Sequence, residues 1–251
     1  MSSPRTITPS PPPDAAPSAL GDAQVAPTAA LLADPTRAAM LWALSDGRAL
    51  PAGVLAQAAG VGAPTASAHL ARLTAGGLLA CERHGRHRYY RLSNPAVVTA
   101  LEALAAIAPP VLAASRQEAH AARGVRLART CYDHLAGVLG VCITDALVAQ
   151  RALVRDDGAY LVADGGTTRF AELGVDVDAV AEAARRTRRP LTRACLDWSE
   201  RRHHLAGALG AALVARFLDA GWVERTPASR ALRVTNSGRR AFRREFDVRL
   251  V

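Results

Sequence analysis

The chain has 251 residues, half of them hydrophobic, and a formal net charge of +9. Every basic side chain other than histidine is arginine. That length supports one large domain or two modest ones, and the apolar runs are too short for a membrane span; four cysteines with no secretion signal read as thiols or ligands rather than a disulfide framework, so the expectation is a soluble cytoplasmic protein with no membrane partner.

Residues 1 to 27 are rich in Pro, Ala and Ser and lack an apolar centre, so they read as a disordered tail. "TAALLADPTRAAMLWALSDG" follows as two helices. Asp34 is the N-cap of the second, and Pro35 takes its first position, where a missing N–H costs nothing. "LPAGVLAQAAGVG" gives a short helix from near Pro51 to Gly60. "APTASAHLARLTAGG" gives the next, with Leu70 and Leu73 inward and Gly76-Gly77 closing it. "LLACERHGRHRYYRLS" predicts a strand from Leu78 to Arg83, a tip at residues 84 to 87, and a strand from Arg88 to Leu92. "PAVVTALEALAAIA" is a last helix that stops at Pro109.

Helix, helix, helix-turn-helix, basic ribbon, helix is the order of a winged DNA-binding unit. A helix of small residues lets its backbone come close to base edges in the major groove, which makes Thr65, Ser67, His69 and Arg72 candidate contacts. Arg83, Arg86, Arg88 and Arg91 on the ribbon are placed for phosphates or the minor groove. A pI near 10.5 fits a double-stranded DNA partner.

"LLADPTRAAMLWAL", "SAHLARLTAGGLL" and "RHGRHRYYRLS" resemble the ArsR/SmtB-type (arsenical-resistance-repressor) winged helix-turn-helix regulators, over about residues 28 to 108. The resemblance implies a homodimer joined through residues 28 to 33 and 95 to 108, and repression by occupying a promoter. The chain departs from that family where metal is usually sensed. "LPAGVLAQ" holds no Cys-x-Cys, and "AVVTALEALAAIA" offers only Glu102, so neither sensor site carries over. Cys81, on the wing, reads as a small buried hydrophobe.

Residues 116 to 251 contain a repeat: "HLAGVLG" from His134 recurs as "HLAGALG" from His204. Each copy precedes an apolar helix and then a strand-turn-strand pattern, which predicts two winged-helix-like lobes. Ala136 and Gly140, like Ala206 and Gly210, are expected on one helix face, open to close packing. Cys131 and His134 are likewise expected to share a helix face. A pseudo-twofold axis between the lobes would bring His134 to His204 and join Cys131 and Cys195 to them, a set suited to Zn²⁺ or another transition metal. On a continuous helix Cys142 would stand about 16 Å from Cys131, outside such a site.

Three alternatives stay open: thiol redox sensing at Cys131 or Cys195, an organic effector between the lobes with Tyr132, Trp198 and Trp222 as candidate walls, and a purely structural half. "RRTRRPLTR" reads as a solvated face. "ADGGTTRF" is no dinucleotide fingerprint and is not expected to open a helix; with no catalytic constellation elsewhere, the chain reads as a non-enzyme whose cofactor, if any, is unidentified. The expected fold is mainly α with short β-hairpins (α+β). The expected units are a tail (1–27), a winged helix-turn-helix DNA-binding and dimerisation domain (28–110) and an effector-sensing domain (116–251). The expected function is a homodimeric repressor released from its operator by a small-molecule or metal effector.

Overall fold

Helices α1 (Val25–Leu32) and α2 (Pro35–Ala43) are divided where Asp34 turns extended and its carboxylate accepts the Arg37 N–H at 2.9 Å. Asp34→Ala is expected to cost about 1 kcal/mol, read as a lower urea midpoint at unchanged slope. An unchanged midpoint would mean that the cap carries no stability. The protein is described here from a computed structural model covering residues 25–85, 87–109, 115–226 and 229–250. Most of the N-terminal tail, residues 1 to 24, and Arg86 lie outside the described residues.

The first half continues with β1 (Leu50–Pro51), α3 (Ala52–Ala58), α4 (Ala63–Ala75), β2 (Leu79–His84), β3 (His87–Leu92) and α5 (Pro95–Ile107). The three strands form an antiparallel sheet in the order β1-β3-β2. Helical periodicity turns Ala66, Leu70 and Leu73 of α4 inward onto Met40, Leu41, Leu44 and Leu55.

The second half runs α6 (Arg116–Leu127), β4 (Arg129–Cys131), β5 (His134–Ala136), α7 (Gly137–Ala149), β6 (Leu153–Asp156), β7 (Ala159–Val162), α8 (Gly166–Glu172), α9 (Val177–Arg186), β8 (Arg193–Leu196), β9 (His203–Ala206), α10 (Gly207–Asp219), β10 (Val223–Arg225), β11 (Leu232–Val234) and α11 (Asn236–Phe246). A hairpin–helix–hairpin–helix unit therefore occurs twice, from β4 to α8 and from β8 to α11. The lobes share one core, in which Leu139, Ile143 and Leu147 of α7 join Leu209, Leu213 and Phe217 of α10. The Thr144 hydroxyl on α7 accepts the Leu205 N–H of the other lobe at 2.9 Å.

The repeated heptapeptide is not all helix. His-Leu-Ala closes a hairpin, and the helix begins at the glycine, Gly137 (φ 80°) or Gly207 (φ 85°), in a backbone region that other residues enter at a cost. A Cβ on Gly140 would lie 2.5 Å from the Leu135 carbonyl oxygen, and one on Gly210 would lie 2.5 Å from that of Leu205. These glycines thus admit the carbonyl of their own hairpin, where a partner helix was expected. One other local reading changes: Gly165-Gly166 does open a helix, α8. The last helix, α11, is capped by the Thr235 hydroxyl, which accepts the Gly238 N–H at 2.9 Å.

The halves are docked. The Tyr132 N–H donates to the Ser45 carbonyl at 2.6 Å, and the Trp42 and Trp198 rings lie 6.3 Å apart. Cys131, Ala136, Cys195 and Ala206 pack with the buried residues of the first half. Among the described residues no helix is long and apolar enough to cross a membrane.

Candidate nucleic-acid interface and a buried cysteine–histidine cluster

On α4, Thr65, Ser67, Ala68, Ala71 and Arg72 are exposed, which leaves a face of small side chains with one cation at its edge. His69 is placed differently. It is half-buried, with Nδ1 3.6 Å from the Asp34 carboxylate, because two residues along a helix turn it about 200° from Ser67. It faces the cap of α2, away from the small-residue face.

On the ribbon, Arg83 and Arg88 are exposed and stand directly opposite each other across the strands. Like charges in that position repel, a cost that a bound phosphate removes. Arg91 is occupied by Glu82, at 2.7 Å. Cys81 is exposed on the edge strand β2, a correction to the buried reading.

The second constellation lies where the two lobes meet α5 and α2. Cys131 and His134 are cross-strand partners on β4–β5, and Cys195 and His204 are cross-strand partners on β8–β9. Direct pairing on one face of a hairpin therefore brings each cysteine to its histidine; the shared helix face expected from their spacing is not what does so. One ligand atom from each of the four lies within 4.8 Å of all the others, and all four residues are buried. The two Sγ atoms are 3.9 Å apart and the two Nε2 atoms 3.1 Å apart. Cys142 stands outside the group, half-buried on α7.

Each histidine has a carboxylate behind it. His134 Nδ1 is 3.5 Å from Asp133 Oδ1, and His204 Nδ1 is 3.5 Å from Asp197 Oδ2. Burial opposes the charge of Asp197, but the Arg129 guanidinium, the Ser199 hydroxyl and the Gly137 N–H outweigh it and hold the carboxyl at about 2. The hydrogen bond from the Cys131 thiol, with help from His134 and His204, stabilises Cys195 as thiolate and drives it far below the usual thiol range. The same bond, together with burial, raises Cys131.

Asp197 also begins a buried chain of charges. Arg129, fully enclosed, places Nη2 3.0 Å from Asp197 and 3.5 Å from Glu102 of α5. Glu102 in turn accepts from Arg230 at 2.7 Å, and the Arg230 guanidinium lies 4.0 Å from the ring centre of Trp42 on α2. Among the described residues, several atoms along this path, though some lie in ion pairs, make no aligned hydrogen bond: Arg129 Nε and Nη2, Glu102 Oε2, Arg230 Nη2 and His204 Nδ1. Sequence reading notes Asp197 beside the second cysteine–histidine pair and Arg129 as a neighbour able to lower a thiol pKa, but does not join them to each other, to Glu102 or to Arg230, because nothing in their spacing does so.

The candidate walls of an effector cleft do not form one cleft. Tyr132 lines a cavity of about 320 Å³ with Val98, Thr99, Cys131, His134 and Arg189. Trp198 lies under Arg129, and Trp222 stacks on Phe217. Of the arginine run, Arg185 and Arg186 pair with Glu182 on an exposed face, whereas Arg189 turns in to Asp133.

An outward face of small residues beside a basic wing defines the class, a winged helix-turn-helix DNA-binding regulator. A helix-turn-helix domain model matches residues 32–82. The chain is 43% identical over 226 residues to the HTH-type transcriptional regulator YdfF of Bacillus subtilis (strain 168), covering 90% of this chain and 98% of that protein. It is 42% identical over 64 residues to the HTH-type transcriptional regulator KmtR of Mycobacterium tuberculosis, covering 26% of this chain and 48% of KmtR. The solved homodimeric winged helix-turn-helix domain of Mb0332 from Mycobacterium bovis, titled a possible ArsR-family regulator, is 33% identical at a TM-score of 0.30, over 32% of this chain and 74% of that one. The chain belongs to the HTH-type transcriptional regulators, a family of DNA-binding proteins and not of enzymes.

Proposed function

We propose that the chain is a homodimeric repressor that leaves its operator when an effector binds in its C-terminal half. The observation that carries this reading is the buried path from His204 through Asp197, Arg129 and Glu102 to Arg230 and Trp42. It ends on α5 and α2, the elements that would set the spacing of two recognition helices. A change at His204 would act on Asp197 and, through Arg129 and Glu102, on α5. A coupling of about 3 kcal/mol would change operator affinity roughly a hundredfold.

Dimerisation is supported by the apolar surface that α5 leaves open. Ile107 and Leu104 are exposed, and Ala38, Ala39, Trp42, Leu101 and Ala105 line a groove beside them. In operator binding, α4 supplies reading through Thr65, Ser67 and Arg72, and the wing supplies grip through Arg83, Arg86 and Arg88. His69 then acts indirectly, by fixing α4 against Asp34.

A gel-shift titration against the DNA upstream of the chain's own gene tests this reading. A salt-sensitive complex is expected, and none forming would overturn it. In the same assay Arg88→Ala is expected to weaken binding to all sequences and to lower the salt slope by about 1 per protomer, whereas Ser67→Ala shifts sequence preference. An unchanged slope in the arginine variant would remove the wing from the interface.

A further inference from the structure

We infer that Cys131, His134, Cys195 and His204 form a binding site for one thiophilic divalent transition-metal ion of the Zn²⁺ class, held tetrahedrally at the seam of the two lobes. The inference rests on the repressor reading for its regulatory meaning, though not for its chemistry.

The donor set is two sulfurs and two imidazole nitrogens, with no carboxylate among them, which selects Zn²⁺-like ions over Ca²⁺ or Mg²⁺. The geometry is close to complete. Bonds of about 2.0–2.3 Å to a tetrahedral ion set its ligand atoms roughly 3.3–3.8 Å apart. The two Sγ atoms at 3.9 Å and the two Nε2 atoms at 3.1 Å need to shift only slightly to reach that shape.

The surroundings point the same way. Both histidines present Nε2 to the shared centre and have an aspartate behind Nδ1. This is the arrangement that fixes the imidazole tautomer and frees Nε2 to donate its lone pair. Among the described residues His204 Nδ1 has no hydrogen-bond partner; it lies 3.5 Å from Asp197 Oδ2, a gap that closes if the ring turns onto an ion. Charge also balances, because two thiolates and a divalent cation sum to zero, as a buried site requires. Both cysteines ligate as thiolates, and any thiol proton still held leaves to solvent. The cavity lined by Cys131 and His134 leads in from the side of α5. With four protein ligands the ion has no open position, so its role is structural or regulatory and not catalytic.

The site differs from one built on a local sequence motif. Each lobe contributes one cysteine and one histidine, so occupancy staples the lobes together. It also turns His204 against Asp197, the first member of the charged path into α5.

The test is Co²⁺ titration of the reduced full-length chain without oxygen, followed by displacement with Zn²⁺. One Co²⁺ per chain is expected, with visible bands of tetrahedral intensity and a thiolate-to-cobalt charge-transfer band. Cys195→Ser and His204→Gln should lose that band. Cys142→Ser and Cys81→Ser should keep it. Asp197→Asn should still bind one equivalent, about 10–100-fold more weakly. The site is overturned if the wild-type chain takes up neither ion, or if the charge-transfer band persists in Cys195→Ser. It is also overturned if the reduced, metal-free chain is indifferent to Zn²⁺ while oxidation joins Cys131 to Cys195 and alone alters DNA binding. A parallel gel shift separates the two claims. Stoichiometric metal with no change in operator affinity leaves the site standing and sinks the release mechanism, whereas release by a different effector, with no metal bound, does the reverse.

Discussion

A chain carrying Leu104→Glu together with Ile107→Glu is expected to sediment as a monomer and to bind its operator about 10²–10⁴-fold more weakly than the parent. The reason is the position of the two side chains. Both belong to α5, and they are 48% and 82% exposed although each is a large hydrophobe. Val25 on α1 is similarly open, at 69%. In a twofold interface the same patch meets itself, so each substitution counts twice and four carboxylates would face one another in the assembled pair. The affinity falls because one winged unit then holds one half-site, without the second binding event that tethering makes intramolecular. Circular dichroism should be unchanged, since neither residue belongs to the buried core. The monomer should keep weak binding that depends on salt, because α4 and the wing are untouched. Sedimentation of the double variant as a dimer with full operator affinity would place the interface elsewhere.

The first half was legible because local signals agree with one another. Asp34-Pro35, the glycine pair at 76 and 77 and the alternating ribbon each fix one boundary, and the buried positions of α4 follow the helical period. His69 escaped because its role depends on the packing of α4 against α2, which spacing alone does not give. In the second half the repeat was visible, and so were the four residues that converge. Their local geometry was not. Three-residue spacing looks the same for a helix face and for a tight hairpin, and here Tyr132 and Asp133 make a two-residue turn, with Tyr132 at φ 58°. The least legible part is the charge path: Arg129 meets Asp197 across 68 positions and Glu102 meets Arg230 across 128. Arginines are frequent throughout this chain, and nothing local marks the two that are enclosed.

Enclosure makes Glu102 the residue whose loss is expected to be most damaging to stability. Glu102→Ala should destabilise the chain by about 3–5 kcal/mol, the cost of leaving a buried charge without its partner. Glu102, Arg129, Arg230 and Asp197 are all buried, and as two guanidiniums and two carboxylates they sum to zero. Without Glu102, Arg230 loses its carboxylate and rests against the face of Trp42, and Arg129 and Arg230 leave a net positive excess beside Asp197. Glu102→Gln is expected to cost less, since an amide oxygen can still accept from Arg230 Nη1 at the position now 2.7 Å away. Replacing Glu102 and Arg230 together with methionine should recover most of the loss. It removes one charge of each sign and leaves Arg129 with Asp197 as a neutral pair. Urea unfolding of the three variants and the parent completes the comparison. If Glu102→Ala costs no more than the double replacement, the path is not a closed set of charges, and it would lose its standing as the link between the seam and α5.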